Sequence, residues 1–239
     1  MTTEDTTPPA TFPMPKAPKT ASPVPWLTSI HASPERGPYG DPSYRGNCDG
    51  FIIRDLLLYF RPQTVFDPMT GSGTCRDVCQ DLGIECTSGD LHGGFDACDP
   101  SHYVELGPFD FVWLHPPYWR MVKYNDDERC LSNAPTLRAF ADRLRLLVRN
   151  CAGVLSENGK LAILMGNYSY RGRFMPLTYI TMDVCLAEGL WPACTDIIRL
   201  QYGNTSSKKT YQSSFIPGLH DVCMMLGKPS PTCSSPNRP

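Results

Sequence analysis

Long apolar runs are missing from this 239-residue chain, which excludes a helix of the roughly 20 apolar residues needed to span a bilayer. The amino terminus lacks the charged-then-apolar layout of a secretion signal, so a soluble, intracellular, cytoplasmic protein is expected, with no membrane partner. Cysteine is plentiful at 11 residues, but CxxC pairs are absent. Cys75, Cys79, Cys151, Cys185 and Cys223 fall inside apolar strand and helix patterns, so free buried thiols are expected rather than a disulfide scaffold. Cys98 and His102 are four apart, yet no second pair with regular spacing accompanies them, so no metal site is expected. Positive charge is lacking too. With 22 Lys and Arg against 24 Asp and Glu, the chain has no global attraction for phosphates. Any nucleic-acid surface must be local.

What is present points to one domain. The chain is 41% hydrophobic, enough for one sizeable core. The first 42 residues hold ten of the 24 prolines and almost no apolar periodicity. Residues 1–42 are therefore expected as a flexible arm or a strap over the surface, followed by a folded domain over 43–228 and a disordered tail over 229–239. From Asn47 helical and extended patterns alternate, the order of a parallel sheet covered by helices. Phe51, Ile52, Leu56, Tyr59 and Phe60 suggest a helix ending near Pro62. Val65 and Phe66 begin a strand. Cys75, Val78, Cys79 and Leu82 follow at i, i+3, i+4 and i+7, an amphipathic helix closed by Gly83, and a strand over 84–88 leads to Gly89 and Asp90.

Residues 91–108 are short, polar and glycine-bearing, so a helix and strand expected there are abbreviated. Strand 109–114 comes next, then a long helix from Leu137 to Cys151, an Asn158-Gly159 turn, strand 160–165, and a helix over 177–188 stopped by Gly189. Strands over 195–201 and 221–226, with no helix between them, should pair antiparallel at one edge of the sheet. Their connection, 202–220, is long for a hairpin, and loops beyond about 12–15 residues are often functional. No internal repeat is visible.

Two short runs carry the chemistry. The first, Phe66-Asp67-Pro68-Met69-Thr70-Gly71-Ser72-Gly73-Thr74, is a glycine turn between a strand and a helix. Glycine lets a ligand approach the backbone, and ligands settle at the carboxyl ends of strands in an open parallel sheet. No Lys-Ser/Thr follows the glycines, which argues against a nucleotide-triphosphatase loop, and Arg76 stands where a dinucleotide fingerprint needs a third glycine. The second run, His115-Pro116-Pro117-Tyr118-Trp119, ends the strand over 109–114.

Together these runs resemble the S-adenosylmethionine-dependent amino-methyltransferases that modify exocyclic amines of adenine or cytosine in DNA, whose hallmarks are an FxGxG-type loop and a [D/N/S]PPY strand end. The resemblance covers about residues 46–227. It implies an α/β, class I (Rossmann-like) methyltransferase fold with a mostly parallel seven-stranded sheet and an antiparallel edge strand. It implies S-adenosyl-L-methionine as cofactor, with Asp67 and the Gly71–Gly73 backbone facing the methionine moiety amid Phe66, Pro68, Thr70, Ser72 and Thr74. Asp90 would accept from the ribose hydroxyls, and Asp96 or Asp99 would contact the adenine. Residues 46–51, with Asn47, match by position a segment the family folds over the methionine end.

In the family, the first tetrapeptide side chain and the following proline carbonyl accept from the target amine, while the aromatic residue stacks on a flipped-out base. That assigns His115 and Pro116 to the amine, Pro117 to the same strand end and Tyr118 to stacking, with Trp119 beside it. Histidine replaces the family's Asp, Asn or Ser, and only a neutral imidazole offers an acceptor nitrogen. Candidate phosphate and base contacts are Arg120 and Lys123 after the tetrapeptide, Arg171 and Arg173 in the loop after strand 160–165, and Lys208, Lys209 and Tyr211 in the long connection. So small a recognition surface suggests a short site, a single-stranded substrate or a homodimer. DNA, double- or single-stranded, is the leading partner. RNA or protein-glutamine methylation and a catalytically inactive cofactor- or nucleic-acid-binding module are the alternatives.

Overall fold

The computed structural model describes residues 22–202 and 218–229. Alternation along the strand β4 (Phe109–Leu114) separates its two apolar layers: Val112 and Leu114 join one buried cluster, Phe111 and Trp113 the other. Successive strand side chains point to opposite faces, so a strand apolar throughout is covered on both sides. Helices α1 (Gly50–Phe60) and α2 (Thr74–Leu82) cover the Phe111 face, while α3 (Leu137–Val154) and α4 (Leu177–Ala187) cover the Val112 face.

Local chemistry sets the helix ends. Asp49 caps α1 by accepting from the Ile52 N–H at 3.2 Å, and Thr136 caps α3 by accepting from Ala139 at 3.0 Å. Gly83 ends α2 at φ +67, where its N–H reaches the Cys79 and Gln80 carbonyls. These boundaries match the sequence reading.

The main sheet runs β1 (Ile30–His31), β9 (Ile197–Leu200), β10 (His220–Gly227), β5 (Leu155–Met165), β4, β2 (Thr64–Asp67), β3 (Glu85–Ser88), and β8 (Trp191–Pro192) also pairs with β10. Pairs β1/β9, β4/β5, β2/β4 and β2/β3 are parallel; β10 is antiparallel to β5, β9 and β8. This is the expected mostly parallel sheet with its antiparallel strand. That strand lies one position inside β9, and the two-residue β1 takes the edge. Residues 91–103 form only two short 3-10 turns, as the polar, glycine-bearing sequence suggested, so β3 is the opposite edge.

Two readings are corrected. Strand β5 begins at Leu155 rather than 160, because the Asn158-Gly159 turn is absorbed as an irregularity: Phe109 pairs with Leu155, but Phe111 pairs with Lys160. Residues 168–175, read as a loop holding Arg171 and Arg173, form a hairpin of β6 (Tyr168–Tyr170) and β7 (Arg173–Met175). Its two-residue turn places Arg171 at φ +50 and Gly172 at φ +76, the left-handed pair that matches strand twist. From residue 22 the proline-rich stretch is a strap: Val24 is buried, Trp26 donates to Asp55 at 3.0 Å, and β1 joins the sheet. The described cysteines are all free thiols. Among the described residues no helix is long and apolar enough to cross a membrane.

A buried ion triad ties this strap side to the sheet. Arg199 on β9 donates to Asp49 at 2.7 Å and to Asp221 on β10 at 2.8 Å; its side chain is 15% exposed and the carboxylates are 4% and 5% exposed. Removing the guanidinium would strand two buried carboxylates. Arg199→Met is expected to cost about 3–5 kcal/mol, read from urea unfolding; a loss below about 1 kcal/mol would show that the triad is not a structural tie.

Candidate active site

Strand β2 pairs in parallel with both β4 and β3, with Phe66 opposite Val112 and Asp67 opposite Ser88. Parallel neighbours end on the same side, so the loops after all three strands rim one cavity. The space encloses about 850 Å³, open solvent at its mouth included. Residues 46–48, ahead of α1, form its fourth side.

The glycine turn is held by its own backbone and by the next loop. Gly73 N–H donates to the Thr70 carbonyl at 2.8 Å, and Thr70 donates through both N–H and hydroxyl to the Gly89 carbonyl at 2.9 Å. Gly71 at φ +51 and Gly73 at φ +87 adopt conformations that side chains resist. Asp90 crosses between loops, accepting from Gly71 N–H and from His92 N–H, each at 3.0 Å. Asn47 accepts from the Thr74 hydroxyl and donates to the Asp41 carbonyl at 2.6 Å, joining the strap to the first turn of α2.

Two ionisable groups are neutralised by burial. Asp67 accepts from Met69 N–H at 3.1 Å, but burial pushes its carboxyl up to about 8. Burial lowers His115 to about 4; nearby Asp221 opposes that shift and Arg199 reinforces it. The imidazole is therefore neutral at pH 7. Its Nε2 lies 3.2 Å from the Tyr118 hydroxyl, with the two rings edge-on at 5.5 Å.

Of the residues singled out from sequence, Asn47, Asp67, Pro68, Thr70, Gly71, Ser72, Thr74, Asp90, Asp96, His115 and Pro117 line the cavity. Phe66 points instead into the core, stacked on Phe109 at 4.9 Å. Gly73 and Pro116 are buried beside the rim. Asp99 lies off the cavity, accepting from Ser101 N–H at 2.9 Å to cap a 3-10 turn. Tyr118 packs against the core and faces His115. Trp119, expected beside it, is buried, with its indole N–H on the Ala134 carbonyl at 2.9 Å.

The cationic candidates divide. Arg120 donates to the Pro135 carbonyl at 2.7 Å and to the Tyr170 hydroxyl at 3.3 Å, holding the β6–β7 hairpin against the tetrapeptide, and Lys123 pairs with Asp126. Arg171 and Arg173 are exposed on that hairpin. Lys208, Lys209 and Tyr211 lie outside the described residues. Sequence reasoning missed Tyr44 and Tyr124, which line the cavity and stack at 6.1 Å with 26° between planes. The one available signal was an aromatic residue in each irregular segment flanking a motif.

No family model matches the chain, and no curated protein matches it in sequence. Solved structures resemble it in part. A 1,6-didemethyltoxoflavin-N1-methyltransferase from Burkholderia thailandensis, with that compound and S-adenosylhomocysteine bound, is 14% identical over 79% of this chain and 80% of its own, at a TM-score of 0.48. A SAM-dependent methyltransferase from Archaeoglobus fulgidus is 15% identical over 75% and 92%, at 0.47. A candidate DNA modification methylase from Thermus thermophilus, complexed with S-adenosyl-L-methionine, is 20% identical over 60% and 56%, at 0.40. The chain spans about half the length of the Thermus structures it matches. The strand order itself identifies the class I, Rossmann-like methyltransferase fold.

The two shifted groups act oppositely on stability. Asp67, raised from 3.8, favours the folded state at low pH and loses that contribution as pH climbs through 8. His115, lowered from 6.5, loses its contribution as pH falls from 6.5 through 4. The slopes oppose each other between about pH 4 and 6.5, leaving Asp67 alone above that. Stability is expected to fall by about 1.4 kcal/mol per pH unit from pH 6.5 to 8, and Asp67→Asn should flatten the decline in urea unfolding measured across that window.

Proposed function

We propose that this chain is an S-adenosylmethionine-dependent methyltransferase acting on the exocyclic amine of a DNA base, adenine N6 or cytosine N4. The observation that carries the reading is that the glycine turn after β2 and the tetrapeptide after β4 rim one cavity, with His115 and Asp67 both on its wall. The wall suits the cofactor. Asp67 is a buried carboxyl that a neighbouring ammonium would ionise, the Gly71 backbone is exposed, and Asp90 stands at the tip of β3. When bound, the cofactor supplies an electrophilic methyl group on a sulfonium.

The protein's part is positioning. An exocyclic amine is conjugated with its ring, and acceptors for its protons hold the nitrogen in line with the methyl group. With Nε2–H donating to the Tyr118 oxygen, His115 keeps Nδ1 as an acceptor. A group titrating near 4 is a weak base at pH 7, so His115 orients the amine, and the departing proton passes to solvent. In this reading the Pro116 carbonyl is the second acceptor. Tyr118 keeps the stacking role only if it leaves His115; Tyr44 and Tyr124 already present rings to the cavity. Arg171 and Arg173 on the exposed hairpin supply phosphate contacts, and a second copy of the chain would enlarge that surface. One observation favours an inactive binding module instead: the 3.2 Å contact to Tyr118 engages one imidazole nitrogen.

Incubation with tritiated cofactor and, separately, DNA, total RNA and protein tests these readings. Label is expected in DNA. Label only in RNA or protein moves the substrate, and label in none supports the binding module. His115→Ala is expected to lower incorporation at least 100-fold while cofactor binding persists, and full activity would remove His115 from the mechanism. Wild-type activity should hold from pH 8 to 5 and fall only towards pH 4; a fall near 6.5 would mean an imidazole with no desolvation.

A further inference from the structure

Behind the glycine turn sits a cluster of three thiols. Cys75 and Cys79 lie on successive turns of α2, the i, i+4 spacing that puts them on one helix face. Cys86 comes from β3, the next element in the chain. Their three sulfur atoms lie within 4.8 Å of one another, with Cys75 and Cys79 buried and Cys86 half-buried. Cys86 belongs to the sheet's edge strand, which gives the cluster a way out to solvent.

The geometry fits an ion better than a disulfide. Three sulfurs held about 2.3 Å from one centre are roughly 3.8–4.0 Å apart, so the cluster closes on an ion by contracting about 1 Å at most. A disulfide needs about 2.05 Å between two sulfurs and leaves the third thiol unused. An all-sulfur donor set selects soft ions.

We propose that Cys75, Cys79 and Cys86 form a three-thiolate site for a soft, thiophilic metal ion of the Cu(I) or Zn2+ class. On binding, the three thiols release their protons to solvent as the metal–sulfur bonds form. Because Cys75 also lines the cavity, the ion would lock the first turn of α2 to β3 directly behind the glycine turn. Residue spacing did not announce this site, because two ligands come from a helix and the third from the following strand.

The test titrates the reduced full chain with Zn2+, with Cu(I) and with Cd2+ as a spectroscopic probe, in the presence of a competing chelator. One equivalent per chain is expected, with sulfur-to-metal charge-transfer absorption for Cd2+ and a metal-dependent rise in melting temperature. Cys86→Ser should bind at least 100-fold more weakly and lose both signals, while Cys194→Ser, at an exposed thiol, should retain them. Should Cys86→Ser fail to fold, Cys79→Ser serves in its place. Saturation by Zn2+ alone or Cu(I) alone distinguishes the two ions. No bound equivalent, or one that survives Cys86→Ser, overturns the proposal.

Discussion

Parallel pairing of β2 with β4 on one side and β3 on the other is the constraint on which this molecule depends. Parallel strands share a direction, so three strand ends and their three loops must emerge together. The loops are then stitched by short polar links: Thr70 to Gly89, and Asp90 to Gly71. Two of those links use backbone groups that a glycine turn leaves exposed, which is why the same residues that open the cavity also hold its wall. The strap supplies the remaining side through Asn47, and the Arg199 triad anchors the start of α1 just after it.

The electrostatics of the cavity follow from where its ionisable groups sit on those strands. Asp67 is the last residue of β2 and His115 immediately follows β4. Both lie at the depth where strand gives way to loop, too far in to be well hydrated. Burial leaves each uncharged near pH 7. Asp221 and Arg199, which act on His115 in opposite directions, are paired with each other. Asp90 and Asp96 line the same cavity, so a cationic ligand entering it would meet their side chains as well as a neutral Asp67 that it could ionise.

Much of the fold was legible because its strands are apolar on both faces and its helices carry capping residues and terminal glycines. The bounds of β4, α2 and α4 follow from Phe109 to Leu114, Cys75 to Gly83 and Leu177 to Gly189. The loop after β2 was legible because glycines at positive φ leave a compositional mark. Elements formed by few residues were not. Strand β1 is two residues that become extended only by pairing with β9, and the β6–β7 hairpin has an Arg-Gly turn rather than the commoner Asn-Gly. Side-chain direction was not legible either. Tyr118 and Trp119 are adjacent aromatics in the motif, but one meets His115 and the other fills the core beneath Ala134.

The abbreviated segment after β3 bears on how the protein behaves in a crowded solution. Two 3-10 turns stand where a further helix and strand would cover the sheet, so the outer hydrogen-bonding row of β3 has no neighbouring strand among the described residues. Such a border can template strand addition by another molecule. Here it is four residues long, with Glu85 and Ser88 at its two ends. Brevity and a charged, polar fringe make it a poor seed for fibrils even without a covering strand.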